Sequence, residues 1–203
     1  MRDIIEHYDR LIDEGHDPVC DPEVLRRHMD GWDGQAFLDA LKSYTLGNVL
    51  EIGVGTGRLA VRVAPLCQHF TGIDLSPKTL ARAAEHLVPW PHVTLLCGDF
   101  MHHPLPSGFD VIYSSLTFMH IPDKRGAIER IANLLAPTGG LVLSIGKNQQ
   151  PFLQYGNRTI RLFPDCPDNT LANLRATRLC CIQQFETDFA HVFCAQKPCD
   201  FSK

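Results

Sequence analysis

The first third of the chain carries apolar residues at helical spacing. Between residues 1 and 15 they recur three to four positions apart, which places them on one face of a helix. These residues are Ile4, Ile5, Tyr8, Leu11 and Ile12. Two shorter helices are predicted in PEVLRRHMD and GQAFLDALKS, with Pro22 suited to a helix start.

From residue 48 onward, short apolar runs alternate with helical patterns. The runs that we predict as strands are NVLEIG, HFTGID, HVTLLCG, FDVIYSS and LVLSIG. The helical patterns between them are RLAVRVAPL, SPKTLARAAEHL and KRGAIERIANLL, the second with Ser76 as its N-cap. Apolar strands that alternate with helices indicate a parallel sheet covered on both faces. Ligands of such sheets bind outside the carboxyl ends of the strands.

The last quarter of the chain has a different pattern. NRTIRLF predicts a strand and PDNTLANLRATRL predicts a helix. CCIQQFETDFAHVFCAQ then gives two extended runs with a short break at Thr187-Asp188, which is typical of a hairpin. We therefore expect the final strand to run antiparallel to its neighbour.

Composition and charge narrow the function classes. The chain has 203 residues, of which 44% are hydrophobic and 21% are charged, as in an ordinary globular domain. A formal net charge of −4 disfavours sequence-independent nucleic-acid binding, which needs a basic surface. No apolar run approaches the roughly 18–20 residues that span a bilayer, and MRDIIEHYDRLIDEG lacks the apolar core of a secretory signal. We expect a cytoplasmic protein, monomeric or homodimeric, that binds neither nucleic acid nor a membrane.

The eight cysteines do not predict disulfides, because the chain is neither short nor secreted in pattern. Two sets of side chains resemble metal ligands, namely His191 with Cys194 and Cys199, and His102 with His103. Buried thiols and solvated loop imidazoles explain these residues more simply than metal ligation does. We therefore predict no metal site.

The sharpest feature of the sequence is a glycine loop that follows the first predicted strand. Gly53, Gly55 and Gly57 form a G-x-G-x-G pattern, and Glu51 stands two residues before it. Glycines are needed where the backbone turns sharply and approaches a ligand closely. The third glycine comes one residue earlier than in the dinucleotide-binding fingerprint, and Arg58 follows where a phosphate-binding P-loop would need lysine.

This loop and four later segments resemble one known family. VLEIGVGTGRLA resembles motif I of the class I S-adenosylmethionine-dependent methyltransferases, and FTGIDLSPKTL, LLCGDF, FDVIYSSLTFMHIPD and LAPTGGLVLSI are similar to the family's later segments in order and spacing. The resemblance implies a Rossmann-like three-layer α/β sandwich. It contains a seven-stranded, mostly parallel sheet with the last strand antiparallel, and an N-terminal helical cap. We expect one domain over residues 1–203, with a lid (1–45), a cofactor-binding core (46–146) and an acceptor-side insert with the final hairpin (147–203).

The resemblance also implies roles for individual residues. Asp74 would bind both ribose hydroxyls of S-adenosylmethionine, although it could instead cap the helix that Ser76 begins. Asp99 would meet the adenine amino group beside Phe100, unless it is a solvated loop acid. Glu51 would contact the cofactor or only order the loop. The full predicted cofactor set is Tyr8, Trp32, Glu51, Gly53, Val54, Gly55, Gly57, Asp74, Leu75, Ser76, Asp99, Phe100 and Ser115.

His120, in the segment HIPD after the fourth strand, is the candidate general base. A base is required only if the acceptor enters protonated, and the imidazole could instead hold the loop. Tyr155, Arg158 and Arg161 in the segment 147–170 are candidates to meet a polar acceptor. Glu186 and His191 are candidates for the pocket rim.

The acceptor is predicted by elimination. The loop after the fourth strand lacks the [DN]-P-P-[YF] pattern of enzymes that methylate amino groups of nucleic acids or protein amides, and the chain lacks the double-glutamate loop of arginine-directed enzymes. We therefore expect methyl transfer to a small molecule, with S-adenosylhomocysteine as product. The alternatives are a nicotinamide-dependent oxidoreductase on a similar fold and a non-catalytic cofactor-binding module.

Overall fold

The computed structural model describes residues 2–198, which form seven α-helices and nine strands. The helices are α1 (Arg2–Asp13), α2 (Glu23–Asp30), α3 (Gly34–Lys42), α4 (Ala60–Val63), α5 (Pro77–Leu87), α6 (Lys124–Leu134) and α7 (Pro167–Ala176). The strands are β1 (Asn48–Ile52), β2 (His69–Asp74), β3 (Val93–Cys97), β4 (Phe109–Ser114), β5 (Leu135–Gly146), β6 (Phe152–Tyr155), β7 (Arg158–Arg161), β8 (Cys180–Glu186) and β9 (Ala190–Gln196).

Seven of these strands form one sheet in the order β3-β2-β1-β4-β5-β9-β8. The pairs from β3 through β5 are parallel, and β9 is antiparallel to both β5 and β8. The predicted fold class, with its mostly parallel sheet and antiparallel last strand, is confirmed. The strand order reverses between β1 and β4, so the loops that follow these strands flank one crevice.

Alternate residues of the central strands supply two cores, one on each face of the sheet. Val49 points to the core made with α3, α4 and α5, whereas Leu50 points to the core made with α6 and α7. Both side chains are fully buried. Because β1 is covered on both faces, its carboxyl end is held in place by a large apolar area.

Three elements differ from the sequence expectation. The helix predicted through RLAVRVAPL is helical only over α4 and then tightens into a 3-10 turn, because Pro65 has no N–H to continue the α-helix. Strand β5 begins at Leu135 rather than at Leu141, with an irregular register where Thr138 has a φ of 64°. The predicted strand in NRTIRLF is β7, and it pairs with β6 in a small separate hairpin.

Helices α1 and α2 lie outside the two cores, whereas α3 is part of one of them. Helix α1 runs beside α5, where Ser76 Oγ donates to Asp9 at 2.6 Å and Lys78 pairs with Asp13 at 2.6 Å. It also meets β7 through an ion pair of 2.6 Å between Arg158 and Glu14. Helix α2 has no buried residue. No helix between residues 2 and 198 is long and apolar enough to cross a membrane.

Candidate functional site

The glycine loop leaves β1 in a conformation that a side chain would block. Gly53 has a φ of 78°, in the left-handed region that favours glycine. A Cβ at this position would stand 1.9 Å from Thr117 Oγ1. The backbone N–H of Gly53 donates to the Ile73 carbonyl at 2.8 Å, which ties the loop to the end of β2.

Asp74 lies at the end of β2 and accepts two hydrogen bonds from the backbone around it. Its Oδ2 accepts from Gly55 N at 2.9 Å, and its Oδ1 accepts from Ser76 N at 3.0 Å. Burial raises the pKa of Asp74, against the opposing effect of these backbone donors. A carboxylate has about four acceptor positions, so two remain for hydroxyl donors. A Cβ built on Gly55 would meet no protein atom within 4 Å, so the loop backbone beside Asp74 is open to close approach.

Ser76, not Asp74, caps helix α5. Its Oγ accepts from Thr79 N at 3.1 Å, the usual geometry of an N-cap serine. The predicted cap is therefore confirmed, and Asp74 is not needed at the helix start. Leu75 connects the two residues, and its backbone also helps to hold the pKa of Asp74 down.

A buried acid lies beneath the loop. Glu51 is 3% exposed and accepts a hydrogen bond of 2.8 Å from Tyr113 Oη. Burial raises the pKa of Glu51 to about 8, although the bond from Tyr113 and the charge of Arg58 oppose the shift. Glu51 is thus mostly protonated at neutral pH. Val54 is also buried in the core beneath the loop.

Arg58 and Asp33 form a buried ion pair beside Glu51. Arg58 Nη1 donates to Asp33 Oδ1 at 2.9 Å, and Nη2 meets the second carboxylate oxygen. Ser115 Oγ donates to Asp33 Oδ2 at 2.8 Å. The Asp33 side chain is fully buried and also caps α3 through Gly34 N. This cluster joins the start of α3 to the glycine loop and to the loop after β4.

Sequence reasoning missed the role of Arg58. The residue was visible directly after Gly57, but it served only to exclude a P-loop. Its partner, Asp33, lies 25 positions earlier in a separate helix start. Nothing in local spacing indicates such a pair.

The predicted adenine side has its own local contacts. Asp99 Oδ1 accepts from Met101 N at 3.0 Å, and Oδ2 lies 2.6 Å from His102 Nδ1. The Phe100 ring is 5% exposed, belongs to the core with α6, and has the Arg130 guanidinium 5.4 Å from its centroid. Both oxygens of Asp99 thus have partners within the turn after β3, and most of Phe100 is enclosed by protein.

Tyr8 and His120 meet above the sheet edge, although 112 positions separate them. Tyr8 Oη lies 2.8 Å from His120 Nε2. Burial lowers the pKa of His120 to about 4, with smaller contributions from His7 and Lys124, so its imidazole is neutral at pH 7. His120 Nδ1 is buried and has no hydrogen-bond partner among residues 2–198.

The turn that carries His120 is clamped from two sides. Lys124 Nζ contacts the Phe118 carbonyl and pairs with the buried Asp165 at 2.9 Å. Phe163 N donates to the Met119 carbonyl at 2.8 Å. The segment after β7 therefore fixes the loop after β4.

Other predicted residues lie farther from this centre. The Trp32 ring packs against that of Phe189 with the ring planes tilted by 52° and the centroids 5.6 Å apart, and it covers Gly146 at the end of β5. Glu186 and His191 pair with each other at 3.3 Å, and Glu186 also pairs with Lys147.

A cavity of about 200 Å³ lies between α1 and β7. Its lining is Asp3, Glu6, His7, Arg10, Arg158, Thr159 and Ile160. Two buried nitrogens, His7 Nδ1 and Arg158 Nη1, have no hydrogen-bond partner within the described part of the chain. His7 is 3% exposed, and its ring contacts those of Tyr8 and Tyr155. His7 therefore connects the cavity wall to the Tyr8–His120 pair, while the two unpaired nitrogens are shielded from solvent.

Comparison with known proteins agrees with this arrangement. Residues 50–143 match a family described as "Methyltransferase domain". An uncharacterized methyltransferase of Mycobacterium tuberculosis is 35% identical over 109 residues, which are 53% of this chain and 55% of the relative. The carboxy-S-adenosyl-L-methionine synthase of Chromohalobacter salexigens is 35% identical over 138 residues, 62% of this chain and 51% of that protein. The chain thus spans about half the length of these curated relatives.

A solved structure shares the whole fold. The N-methyltransferase NodS from Bradyrhizobium japonicum, in complex with S-adenosyl-L-homocysteine, superposes with a TM-score of 0.74 over 97% of this chain and 99% of NodS. The two sequences are 19% identical. At this identity the likeness concerns the fold.

Proposed function

Because the chain belongs to the class I S-adenosylmethionine-dependent methyltransferase family, we propose that it transfers the methyl group of S-adenosylmethionine to a small-molecule acceptor. The observation that carries the proposal is the placement of Asp74 beside the open backbone of Gly55. The alternatives weighed from the sequence, a nicotinamide-dependent oxidoreductase and a non-catalytic module, are not favoured by the comparisons.

The residues at the sheet edge fit the proposed cofactor. Asp74 retains two acceptor positions for the vicinal ribose hydroxyls, and Gly55 allows the loop backbone to approach the ligand. Asp99 at the end of β3 is the candidate partner of the adenine amino group. The residues that we propose to hold the cofactor remain Tyr8, Trp32, Glu51, Gly53, Val54, Gly55, Gly57, Asp74, Leu75, Ser76, Asp99, Phe100 and Ser115.

Bound cofactor supplies a methyl group that is already activated on a sulfonium. The protein mainly has to align the acceptor behind that methyl and exclude water, and orientation of this kind can supply most of the rate. We propose that α1 does this as a lid, because it places Tyr8 against the loop that carries His120.

His120 is the proposed base for an acceptor that enters protonated. Its pKa of about 4 keeps the ring neutral at pH 7 but also makes it a weak base, so proton transfer to His120 requires that its surroundings change when the acceptor binds. In the tautomer in which Nε2–H donates to Tyr8 Oη, Nδ1 keeps the lone pair that can receive that proton. If the acceptor is already an unprotonated amine, His120 serves only to hold Tyr8.

The cavity between α1 and β7 is the proposed entry for a polar group of the acceptor. Arg158 and His7 line its wall, each with a buried nitrogen that has no hydrogen-bond partner among residues 2–198, and the His7 ring contacts that of Tyr8. A volume of about 200 Å³ is below the roughly 300–1,000 Å³ of drug-sized ligand sites. The cavity suits one functional group rather than a whole large acceptor.

Thermal unfolding with separate additions of S-adenosylmethionine, S-adenosylhomocysteine and NAD tests the cofactor. A ligand at 100 times its Kd stabilises by about 2.7 kcal/mol. For a domain of this size, that corresponds to a melting shift of roughly 5–10 °C. We expect the two sulfur cofactors to raise the melting temperature and NAD to leave it unchanged.

Two variants distinguish binding at the proposed cofactor site from a general effect of the added ligand on stability. Asp74→Ala should abolish the shift, while Asp168→Ala, at an exposed acid in the first turn of α7, should keep it. A shift with NAD would support the oxidoreductase instead. Cofactor binding without release of S-adenosylhomocysteine across an acceptor panel would favour the binding module.

A further inference from the structure

Three side chains of different chemistry converge at the far end of α1 and α5. Asp17 and Cys20 lie in the turn after α1, and His86 lies in the last turn of α5. One ligand atom from each lies within 4.8 Å of the other two. The Asp17 and His86 side chains are only 13% and 17% exposed, and their Oδ2 and Nε2 atoms are 2.8 Å apart.

The local backbone holds the two loop residues in place. Cys20 N donates to the Asp17 carbonyl at 2.9 Å, which closes a tight turn. Val19 N donates to Asp17 Oδ1 at 3.2 Å and so fixes the carboxylate. Asp17 Oδ2 therefore stays directed toward His86, while Cys20 is exposed at the edge of the cluster.

We propose that Asp17, Cys20 and His86 bind a zinc ion at a site separate from the cofactor-binding edge. A thiolate, an imidazole and a carboxylate are the ligands that zinc takes, with bond lengths of about 2.0–2.3 Å. Around one tetrahedral ion such atoms stand roughly 3.3–3.7 Å apart. Small side-chain rotations bring the three atoms to that spacing, and water completes the fourth position.

The donor set selects zinc over harder ions. Magnesium and calcium prefer oxygen ligands, and only one of these three side chains supplies oxygen. A helix C-terminus also favours a cation, and His86 lies in the last turn of α5. The ion would join the turn after α1 to α5 and so reinforce the lid contact made by Asp13 with Lys78.

Arg82 is the competing cation at this place. Its Nε lies 3.7 Å from Asp17 Oδ2, and its Nη1 pairs with Glu85 at 3.0 Å. Without a metal, Arg82 and His86 share the Asp17 carboxylate. Zinc must displace Arg82 from Asp17, so removal of the Arg82 charge should strengthen zinc binding.

The test is zinc stoichiometry and affinity in the reduced, untagged full-length protein, measured against a chromophoric chelator. We expect one zinc per chain. Cys20→Ser should weaken zinc binding at least about tenfold. Loss of a residue that only hydrogen-bonds to a metal ligand already costs about that much in metal affinity. Cys166→Ser, which alters another exposed cysteine, should leave the affinity unchanged. Arg82→Gln should tighten binding.

A second readout separates this site from adventitious metal on the other cysteines. Cobalt in place of zinc should give a thiolate charge-transfer absorption that Cys20→Ser removes and Cys166→Ser retains. Both variants alter exposed side chains, so folding is preserved and can be checked by their melting temperatures. Fewer than one zinc per chain in the wild type, or equal affinity in Cys20→Ser, would overturn the proposal.

Discussion

The glycine loop and the lid are held in place by different kinds of interaction. The loop is fixed by backbone hydrogen bonds from Gly53 and Gly55 and by the apolar cores beneath β1. The lid helix α1 has a single buried residue, His7, and is joined to the rest mostly by side-chain pairs. Two of those pairs, Lys78–Asp13 and Arg158–Glu14, keep substantial exposure in at least one partner.

This difference has an energetic meaning. Exposed ion pairs contribute about 0–1 kcal/mol each, whereas buried backbone geometry and buried charge pairs cost several kcal/mol to disrupt. We therefore expect the proposed cofactor side to be more rigid than α1, which can open at low cost. A weakly held α1 fits the proposed lid role, which requires that one molecule be admitted and another released.

The largest effect is expected from a side chain in the glycine loop. Gly53→Ala should destabilise the protein by more than about 4 kcal/mol, because a positive φ is combined with a contact of 1.9 Å to Thr117. Gly156→Ala is the matched control in the β6–β7 turn, where φ is 56° and nothing lies within 4 Å of the new Cβ. Gly156→Ala should lower the free energy of unfolding by only about 1–2 kcal/mol. Urea unfolding measures both, and similar losses would contradict the comparison.

Removal of the buried cation next to the loop should have the second largest effect. Arg58→Met leaves the fully buried Asp33 carboxylate without its main partner and should cost about 3–5 kcal/mol. Arg125→Met removes a cation that is 68% exposed and paired with Glu129, and it should change stability by less than about 1 kcal/mol. The free energy of unfolding at pH 7 gives the comparison. A small loss in Arg58→Met would mean that water reaches Asp33.

The buried Glu51 predicts that the stability difference between the wild type and a Glu51→Gln variant depends on pH. Its pKa is about 8 in the folded protein and 4.5 as the ordinary value, so between these pH values the folded state holds a proton that the unfolded state has lost. This contribution lowers stability as pH rises, by at most about 1.4 kcal/mol per pH unit. Glu51→Gln removes this pH-dependent contribution. The free energy of unfolding of the variant should therefore rise relative to that of the wild type between pH 5 and pH 8. Urea unfolding at both pH values measures the gain, and a constant difference would show that Glu51 is ionised in the fold.

The smallest effect on global stability is expected from a lid contact. Lys78→Met removes the pair with Asp13 and should change the free energy of unfolding by less than about 1 kcal/mol, because both partners are about half exposed. Local opening of α1 should nevertheless increase. Hydrogen exchange should therefore be faster in the amides of α1 and unchanged in those of β1. Unchanged exchange in α1 would mean that other contacts hold the lid.

Much of the fold was predictable because its causes are local. Apolar runs of strand length marked the five parallel strands, and Ser76 followed by Pro77 marked the start of α5. The boundaries failed where a single residue changed the backbone, as at Pro65, or where pairing with Phe109 extended β5 back to Leu135. Register is decided by the neighbouring strand, which local pattern does not contain.

The sequence by itself determined the parallel sheet, the glycine loop and the acids that follow the strands, because each depends on a few adjacent residues and on the period of side chains along a strand. Only the tertiary structure brought Tyr8 to His120, Asp33 to Arg58 and Asp17 to His86. These pairs join residues 25 to 112 positions apart, and the packing of helices on the sheet decides which of them meet. The proposed cofactor side of the site could therefore be anticipated from short segments, whereas the proposed acceptor side depends on contacts between distant parts of the chain.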